Sequence, residues 1–129
     1  VVVEKMIGYK SGTVLICNYI NFKGEIKKGL FIVIGDEVFD NNTNSFINFT
    51  AIKITTQMDM IGNYVVNLDL NENPFFKYPC MASCSKIHTL HKNQIDGKLG
   101  ILSEKTFKNV YKEYTKFISE LNRQMLGVL

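Results

Sequence analysis

Most of the chain alternates short segments of β-branched and aromatic residues with polar, turn-forming segments. Such segments, bounded by Asn, Gly and Asp, are typical of β-strands. The pattern predicts five strands, at residues 12–20, 30–34, 46–56, 64–70 and 80–91. The second of these is apolar throughout, which indicates a strand buried on both faces.

The segments between the predicted strands have the composition of loops. Residues 21–28 form a polar segment rich in lysine, and residues 36–44 form a segment rich in turn residues. After the fifth strand, a short connection through Gly97 and Gly100 leads to the C-terminal segment. None of these segments resembles an interdomain linker, and 129 residues is the size of one domain. We therefore predict a single domain over residues 1–129.

The spacing of apolar residues changes near residue 103. Beyond it they recur every three or four positions, at Phe107, Val110, Tyr111, Tyr114, Phe117, Ile118, Leu121 and Met125. This period predicts an amphipathic helix over about 103–126, with Ser103 as its N-cap and Glu104 in its first turn. The predicted class is α+β and mainly β: a small, partly open β-barrel over about 12–102, followed by a long C-terminal helix.

The composition excludes several classes of protein. With 46% hydrophobic and 21% charged residues, the chain has the composition of a soluble globular domain. Its apolar runs are far shorter than the roughly 20 residues that cross a bilayer, and no signal-peptide pattern opens the sequence. Three cysteines, an odd number, do not suggest a disulfide framework. We therefore expect a cytoplasmic protein without membrane contacts.

The net charge of +3 is distributed unevenly, and 14 of the 15 basic residues are lysines. Residues 23–28 contain three lysines and one glutamate, and residues 77–92 contain three lysines, two histidines and no acidic residue. Two basic patches on a nearly neutral protein favour a polyanion such as RNA as the partner. Two solvated lysine-bearing loops would produce the same charge pattern.

The predicted strand at residues 80–91 contains the densest group of chemically active side chains. On a strand, Lys86 and His88 share one face, and Ile87, Thr89 and His91 share the other. His88 is a candidate general acid or base because the ordinary pKa of histidine lies near neutrality. The alternative is a half-buried histidine without a catalytic role.

The same strand contains the spacing C-x3-C-x3-H-x2-H, formed by Cys80, Cys84, His88 and His91. Neither a strand nor a helix lets these four side chains converge tetrahedrally on one zinc ion, and the usual C-x2-C pair is missing. Buried free cysteines explain the spacing more simply. We predict no metal and no cofactor, and keep a zinc-stabilised adaptor as an alternative.

Five motifs occur in a characteristic order from about residue 12 to residue 125. They are a glycine before the hydrophobic strand at 12–19, Lys23-Gly24-Glu25 before the apolar strand, Ile54-Thr55-Thr56-Gln57, the stretch Lys86-Ile87-His88-Thr89-Leu90-His91-Lys92, and the segment 98–102 before the helix. The third resembles an Ile-Thr-x-Gln strand end, and the fourth resembles Gln-Ile-Arg-Thr-Ile-Asp-Lys. In this order the motifs resemble the MazF/PemK (Kid-type) toxins of bacterial toxin–antitoxin modules.

The resemblance implies an SH3-like barrel, a homodimer and an antitoxin protein as partner. It implies a toxin that acts as an endoribonuclease and cleaves single-stranded RNA without a metal ion. In that reaction the 2′-hydroxyl attacks the adjacent phosphate and produces a 2′,3′-cyclic phosphate. The alternative is a catalytically silent barrel that binds nucleic acid or protein.

The resemblance also assigns candidate site residues, although both cationic positions of the family differ in this chain. The family threonine corresponds to Thr55; its Arg-Pro pair is Gly29-Leu30 here, and its later arginine is His88. We predict three catalytic residues: Lys28 as a point cation, His88 as acid or base and Thr55 as a phosphate ligand. Further RNA contacts are predicted at Lys23, Lys27, Thr56, Gln57, Lys86, His91 and Lys92.

Overall fold

The computed structural model describes residues 9–40, 45–56 and 62–128, and these form one antiparallel sheet and one long helix. The elements are β1 (Thr13–Ile20), β2 (Ile26–Asp40), β3 (Ser45–Thr55), β4 (Val65–Leu68), β5 (Cys80–His91), β6 (Ile95–Ile101) and α1 (Glu104–Val128). A single turn of 3-10 helix, Lys92–Gln94, joins β5 to β6. The predicted α+β, mainly β class is confirmed.

The strands lie in the order β4-β5-β3-β2-β1-β6. Within the described residues no ladder of hydrogen bonds joins β4 to β6, so the sheet is open at these two edges. Irregular register occurs in the β1–β6, β2–β3 and β3–β5 pairs. Because such irregularities bend strands and increase their twist, they allow one face of the sheet to enclose a core without closing a barrel.

The sixth strand occupies the segment that the sequence predicts to be a short connection. Gly97 pairs with Ile16 and Gly100 pairs with Val14, which places both glycines in β6. A Cβ atom at Gly100 would lie 2.5 Å from a ring carbon of Phe75, so this strand position accepts only glycine in the observed packing. The predicted connection was wrong because packing outweighs the low strand propensity of glycine.

Strand β2 is longer at both ends than the predicted 30–34. It pairs with β1 from Ile26 opposite Ile20, so Lys27 and Lys28 belong to the strand and not to the predicted loop. The turn itself is short: the Asn21 side-chain oxygen accepts hydrogen bonds from the backbone N–H groups of Lys23 and Glu25, at 2.9 and 3.0 Å. Cross-strand pairing therefore extends a strand through polar residues that a local pattern assigns to a loop.

Alternate residues of the central strands enter two different cores. The first core lies against the helix and includes Val14, Ile32, Ile52 and Val110. The second core lies on the opposite face of the sheet, and its buried members among the described residues are Leu15, Cys17, Phe31, Val33, Phe49, Ala51 and Leu90. Among the described residues, its members come from the sheet and from Tyr9.

The start of α1 is fixed by a hydrogen-bonded cap. The Ser103 hydroxyl oxygen accepts a hydrogen bond from the backbone N–H of Thr106 at 3.1 Å, which confirms the predicted N-cap. The Asn73 side chain, fully buried, accepts a hydrogen bond from the Ser103 N–H and donates to the Thr106 hydroxyl. No helix of the described residues is long and apolar enough to cross a membrane.

Candidate active site

The ladder between β3 and β5 is interrupted beside the second core. Ile52 pairs with Ile87, but the next residue of β3, Lys53, pairs with Ser83. Residues 84–86 therefore have no partner on β3, and they form a bulge that carries the exposed Lys86. Bulges redirect side chains and are common beside active sites. This one lies next to the predicted acid or base, His88.

His88 is half-buried against two aromatic rings. Its ring centre lies 5.1 Å from that of Phe31 and 6.1 Å from that of Tyr19, both edge-on. Burial lowers the pKa of His88 below 6.5, and the positive charges of Lys53 and Lys86 lower it further. No described residue forms a hydrogen bond with its ring. The imidazole is therefore neutral at pH 7 and can accept a proton.

Lys53 lies directly opposite Phe31, so the two side chains share one face of the sheet. Its Nζ atom is 4.9 Å from the ring centre of Tyr19 and 5.3 Å from that of Phe31, within the range of cation–π attraction. Burial lowers the pKa of this ammonium, and the positive charge of Lys86 adds to the effect. Nζ donates one hydrogen bond, at 3.1 Å, to the Ile54 carbonyl oxygen.

The Lys53 ammonium packs directly against Gly29. A Cβ atom at position 29 would lie 2.8 Å from Lys53 Nζ and 2.9 Å from Tyr19 Cε1, which is closer than real Cβ contacts. The observed position of Lys53 therefore requires glycine at position 29. We call Tyr19, Gly29, Phe31, Lys53 and His88 the Lys53–His88 cluster.

Three predicted site residues lie on or beside the face that carries this cluster. Thr55 follows Lys53 by two residues on β3, so its side chain is on the same face. Lys27 is exposed and lies directly opposite Tyr19. Lys86 is exposed on the bulge and close enough to lower the pKa values of both Lys53 and His88. Thr55, Lys27 and Lys86 thus share with His88 one face of the sheet or its edge, and Thr55 lies four residues along β3 from Ala51, the partner of His88.

Lys28 lies apart from the cluster. Side chains alternate along β2, so Lys28 is on the face opposite to Gly29 and Phe31. Its Nζ atom is 2.9 Å from a carboxylate oxygen of Asp96 on β6, and both side chains are exposed. The geometry favours Lys53 over Lys28 as the cation beside His88, and the role predicted for Lys28 stays a prediction.

The remaining predicted contacts lie around the ends of the strands. Lys23 occupies the β1–β2 turn beside Phe22, whose ring is 95% exposed. Thr56 is exposed directly after β3, and Gln57 lies outside the described residues. His91 caps the 3-10 turn, because its Nδ1 atom accepts a hydrogen bond from the Asn93 N–H at 3.0 Å. Lys92 is the first residue of that turn.

The two cysteines of the zinc alternative belong to the first core, whereas His88 packs on the second. Both thiols are free and buried, and burial raises the pKa of Cys80 to about 11 and that of Cys84 to about 12. Among the described residues, no three His, Cys, Asp or Glu side chains are placed to hold a metal ion. Cys80 and Cys84 therefore lie on the opposite face of the sheet from His88.

Sequence reasoning missed Lys53, although the signal was present. Lys53 is the only charged residue in the predicted strand 46–56, and it stands between Ile52 and Ile54. Lys53 is two residues after Ala51, which is fully buried, so the two side chains lie on the same face of the strand. A lysine in phase with buried residues must lie at the boundary of a core, and this boundary position is where desolvation changes its chemistry.

The cluster lies outside two surface depressions of the described residues. One, of about 740 Å³, lies between the segment before β4 and the middle of α1; the other, of about 270 Å³, is bordered mainly by apolar side chains that include Leu30, Phe75 and Leu99. Neither contains His88 or Lys53.

Three solved structures are similar in fold. An endoribonuclease in complex with its cognate antitoxin, from a mycobacterial species, is 16% identical with a TM-score of 0.63, over 87% of this chain and 96% of that one. A mycobacterial endoribonuclease is 16% identical with a TM-score of 0.62, over 88% and 94%. The Mycobacterium tuberculosis toxin MazF-mt6 is 15% identical with a TM-score of 0.63, over 83% and 96%. At these identities the likeness shows a shared fold.

No curated protein has a significant sequence match to the chain. Residues 10–118, however, match the sequence model that describes PemK-like, MazF-like toxins of type II toxin–antitoxin systems. The match covers most of the sequence and includes all strands of the sheet. The chain therefore belongs to the family of PemK-like, MazF-like toxins of type II toxin–antitoxin systems.

Proposed function

We propose that this protein is an endoribonuclease that cleaves single-stranded RNA without a metal ion. The observation that carries the proposal is His88, a half-buried and neutral imidazole beside a lysine, on the face that also carries Thr55. Membership of a toxin family and a fold shared with endoribonucleases support the same reaction.

In the proposed reaction His88 acts as a general base. It accepts the proton of the RNA 2′-hydroxyl, and the 2′ oxygen then forms a bond with the adjacent phosphorus. The bond from phosphorus to the 5′ oxygen breaks, the 5′ oxygen takes a proton from water, and the hydroxide that remains takes the proton back from the His88 imidazolium. The products are a 2′,3′-cyclic phosphate and a 5′-hydroxyl end. A neutral imidazole suits the first step because it can accept a proton at pH 7.

The neighbouring side chains would bind the phosphate and the rest of the RNA strand. Thr55 would donate its hydroxyl hydrogen to a phosphate oxygen, as hydroxyls do in nucleic-acid complexes. The exposed lysines, Lys27 and Lys86 among them, would follow the backbone. Thr56, Gln57, His91 and Lys92 stay predicted contacts at the ends of the strands.

The same face would be the target of the antitoxin. One structural relative is an endoribonuclease bound to its cognate antitoxin. For this chain we expect a homodimer in the cytoplasm, silenced by an antitoxin whose acidic segment covers the basic groups around His88. Covering this face would exclude RNA from the candidate active site.

The test is cleavage of a mixed-sequence single-stranded RNA by the purified protein in excess EDTA. We expect 2′,3′-cyclic phosphate ends by mass spectrometry, and at least about a 100-fold loss of rate in His88→Ala. Thr55→Ala should also be slower, and Lys28→Ala tests whether that residue contacts phosphate. Lys112→Ala, on the exposed surface of α1, is the matched control and should cleave at the wild-type rate.

Two results would contradict the proposal. One is the absence of cyclic-phosphate ends with the wild-type protein, and the other is an unchanged rate in a folded His88→Ala variant. RNA binding without cleavage would identify the alternative function, a catalytically silent binding module.

A further inference from the structure

The Lys53 ammonium is a half-buried cation without an anionic partner among the described residues. Of its three N–H groups, one donates to the Ile54 carbonyl oxygen, and the other two have no acceptor in the described part of the chain. Moving an ammonium out of water is unfavourable unless an opposite charge or hydrogen bonds replace the water. The rings of Tyr19 and Phe31 compensate only in part. The site therefore favours an anion that approaches from solvent.

Gly29 determines where this ammonium lies. A glycine in the interior of a strand weakens the strand and often marks a close approach of another group. Here the group is Lys53 Nζ, which is 2.8 Å from the position that a Cβ atom would take. Any other side chain at position 29 would displace the flexible end of Lys53 from the two rings.

The lysine and the histidine are placed to act on one phosphate. Both pack on the Phe31 ring, and both are near Tyr19. Thr55 follows Lys53 on the same face of β3. The cluster therefore presents a cation, a hydroxyl and a proton acceptor on one surface, with Lys86 next to them on the bulge.

We infer that Lys53 is a catalytic residue: its ammonium, placed above Gly29, binds the scissile phosphate and stabilises the negative charge that develops on its non-bridging oxygens. The inference rests on the proposed ribonuclease function. As the 2′ oxygen attacks, charge accumulates on those oxygens, and a fixed cation in a partly desolvated site stabilises that charge more than it stabilises the ground state. Burial lowers the pKa of His88, and the positive charge of Lys53 lowers it further, so Lys53 also favours the neutral imidazole that accepts the proton.

The first test is Lys53→Met, which removes the charge and keeps a long apolar side chain on the rings. We expect kcat for RNA cleavage to fall by about 100-fold or more while KM changes little, because the interaction is strongest in the transition state. Lys53→Arg should stay within about tenfold of wild type, since it restores a cation. Lys112→Met, on the exposed surface of α1, is the control.

A second test keeps the lysine but changes the position of its ammonium. Gly29→Ala should displace the ammonium and lower kcat by at least about tenfold, since small misplacements of a charged group are costly in catalysis. Gly35→Ala is the matched control on the same strand, because no atom lies within 4 Å of the added methyl group. Thermal unfolding of each variant shows whether the protein remains folded.

The possible results separate this inference from the proposed function. If wild type cleaves and folded Lys53→Met has the same kcat, Lys53 is not catalytic, although the ribonuclease proposal stands. If Lys53→Met does not fold, Gly29→Ala decides, and normal cleavage by this variant overturns the inference. If wild type produces no cyclic-phosphate ends, the proposed function fails and the inference fails with it.

Discussion

At the scale of single residues, basic groups at the edge of the second core alter one another's protonation. His88 and Lys53 both lie against the rings of Tyr19 and Phe31, and the exposed Lys86 is close to both. Because burial and nearby positive charge both disfavour a further cation, the pKa values of His88 and Lys53 are lowered. The result is a neutral imidazole beside an ammonium, which suits removal of a proton from a substrate held by its negative charge.

This coupling predicts the pH dependence of cleavage. As pH falls through the His88 pKa, which lies below 6.5, the imidazole becomes protonated and the rate should fall. Lys53→Met removes one of the positive charges that lower this pKa, so the acidic limb of residual cleavage should move to higher pH. The pKa of His88 can be measured by NMR titration with and without Lys53→Met, in a His91→Asn background that leaves one histidine signal. An unchanged His88 pKa in Lys53→Met would contradict the coupling.

At the scale of elements, the two halves of α1 differ in their contacts. The first half carries the Ser103 cap and the fully buried Val110. Farther along, Leu121 and Met125 belong to the predicted apolar face, but they are 42% and 61% exposed. The helix has the predicted amphipathic period, but the sheet covers only the N-terminal part of its apolar face. We infer that the attachment of the helix depends mainly on its first turns.

The buried Asn73 should be important for that attachment. It donates hydrogen bonds to the Asp69 carbonyl and the Thr106 hydroxyl and accepts one from the Ser103 N–H. We expect Asn73→Ala to lower the free energy of unfolding by about 2–3 kcal/mol, because it leaves buried polar groups without partners. Urea unfolding measures the change. Asn109→Ala, exposed on α1, is the control and should change stability little; an equally small effect of Asn73→Ala would refute the role.

At the scale of the whole molecule, one sheet contributes side chains to two cores, one on each of its faces. The helix packs on the first core, and the second core lies on the opposite face of the sheet. The candidate site lies at the edge of the second core, where side chains from β1, β2, β3 and β5 meet. Helix packing and candidate chemistry are therefore on different faces of the sheet, so the site can be altered without disturbing the helix.

The basic groups on this face predict how RNA binding depends on salt. Each lysine that contacts a phosphate releases a counterion, so Lys27→Gln and Lys86→Gln should each reduce the slope of log K against log salt by about 0.7. Fluorescence anisotropy with an RNA that carries a 2′-deoxy residue at the cleavage position measures binding without cleavage. Lys108→Gln, on the exposed surface of α1, should leave the slope unchanged. Equal slopes for all variants would place the RNA elsewhere.

Local sequence determined the class, the family resemblance and most elements. The strand at 80–91 and the Ser103 cap follow from the sequence because alternation, helical period and capping are properties of neighbouring residues. His88 and Thr55 were identified as candidates by motif, and the structure places them on one face of the sheet. Their catalytic roles stay predictions that the variants test.

Only the tertiary structure decided that Gly97 and Gly100 lie in a strand, that Lys28 faces away from Gly29, and that Lys53 lies above it. These facts depend on strand register, which pairs residues far apart in the chain. A register change of one residue would move Lys53 to the other face of the sheet. The sequence by itself determined a mainly β chain that resembles a toxin family and has a histidine in the matching motif; packing across β1, β2, β3 and β5 decided which cation lies beside that histidine.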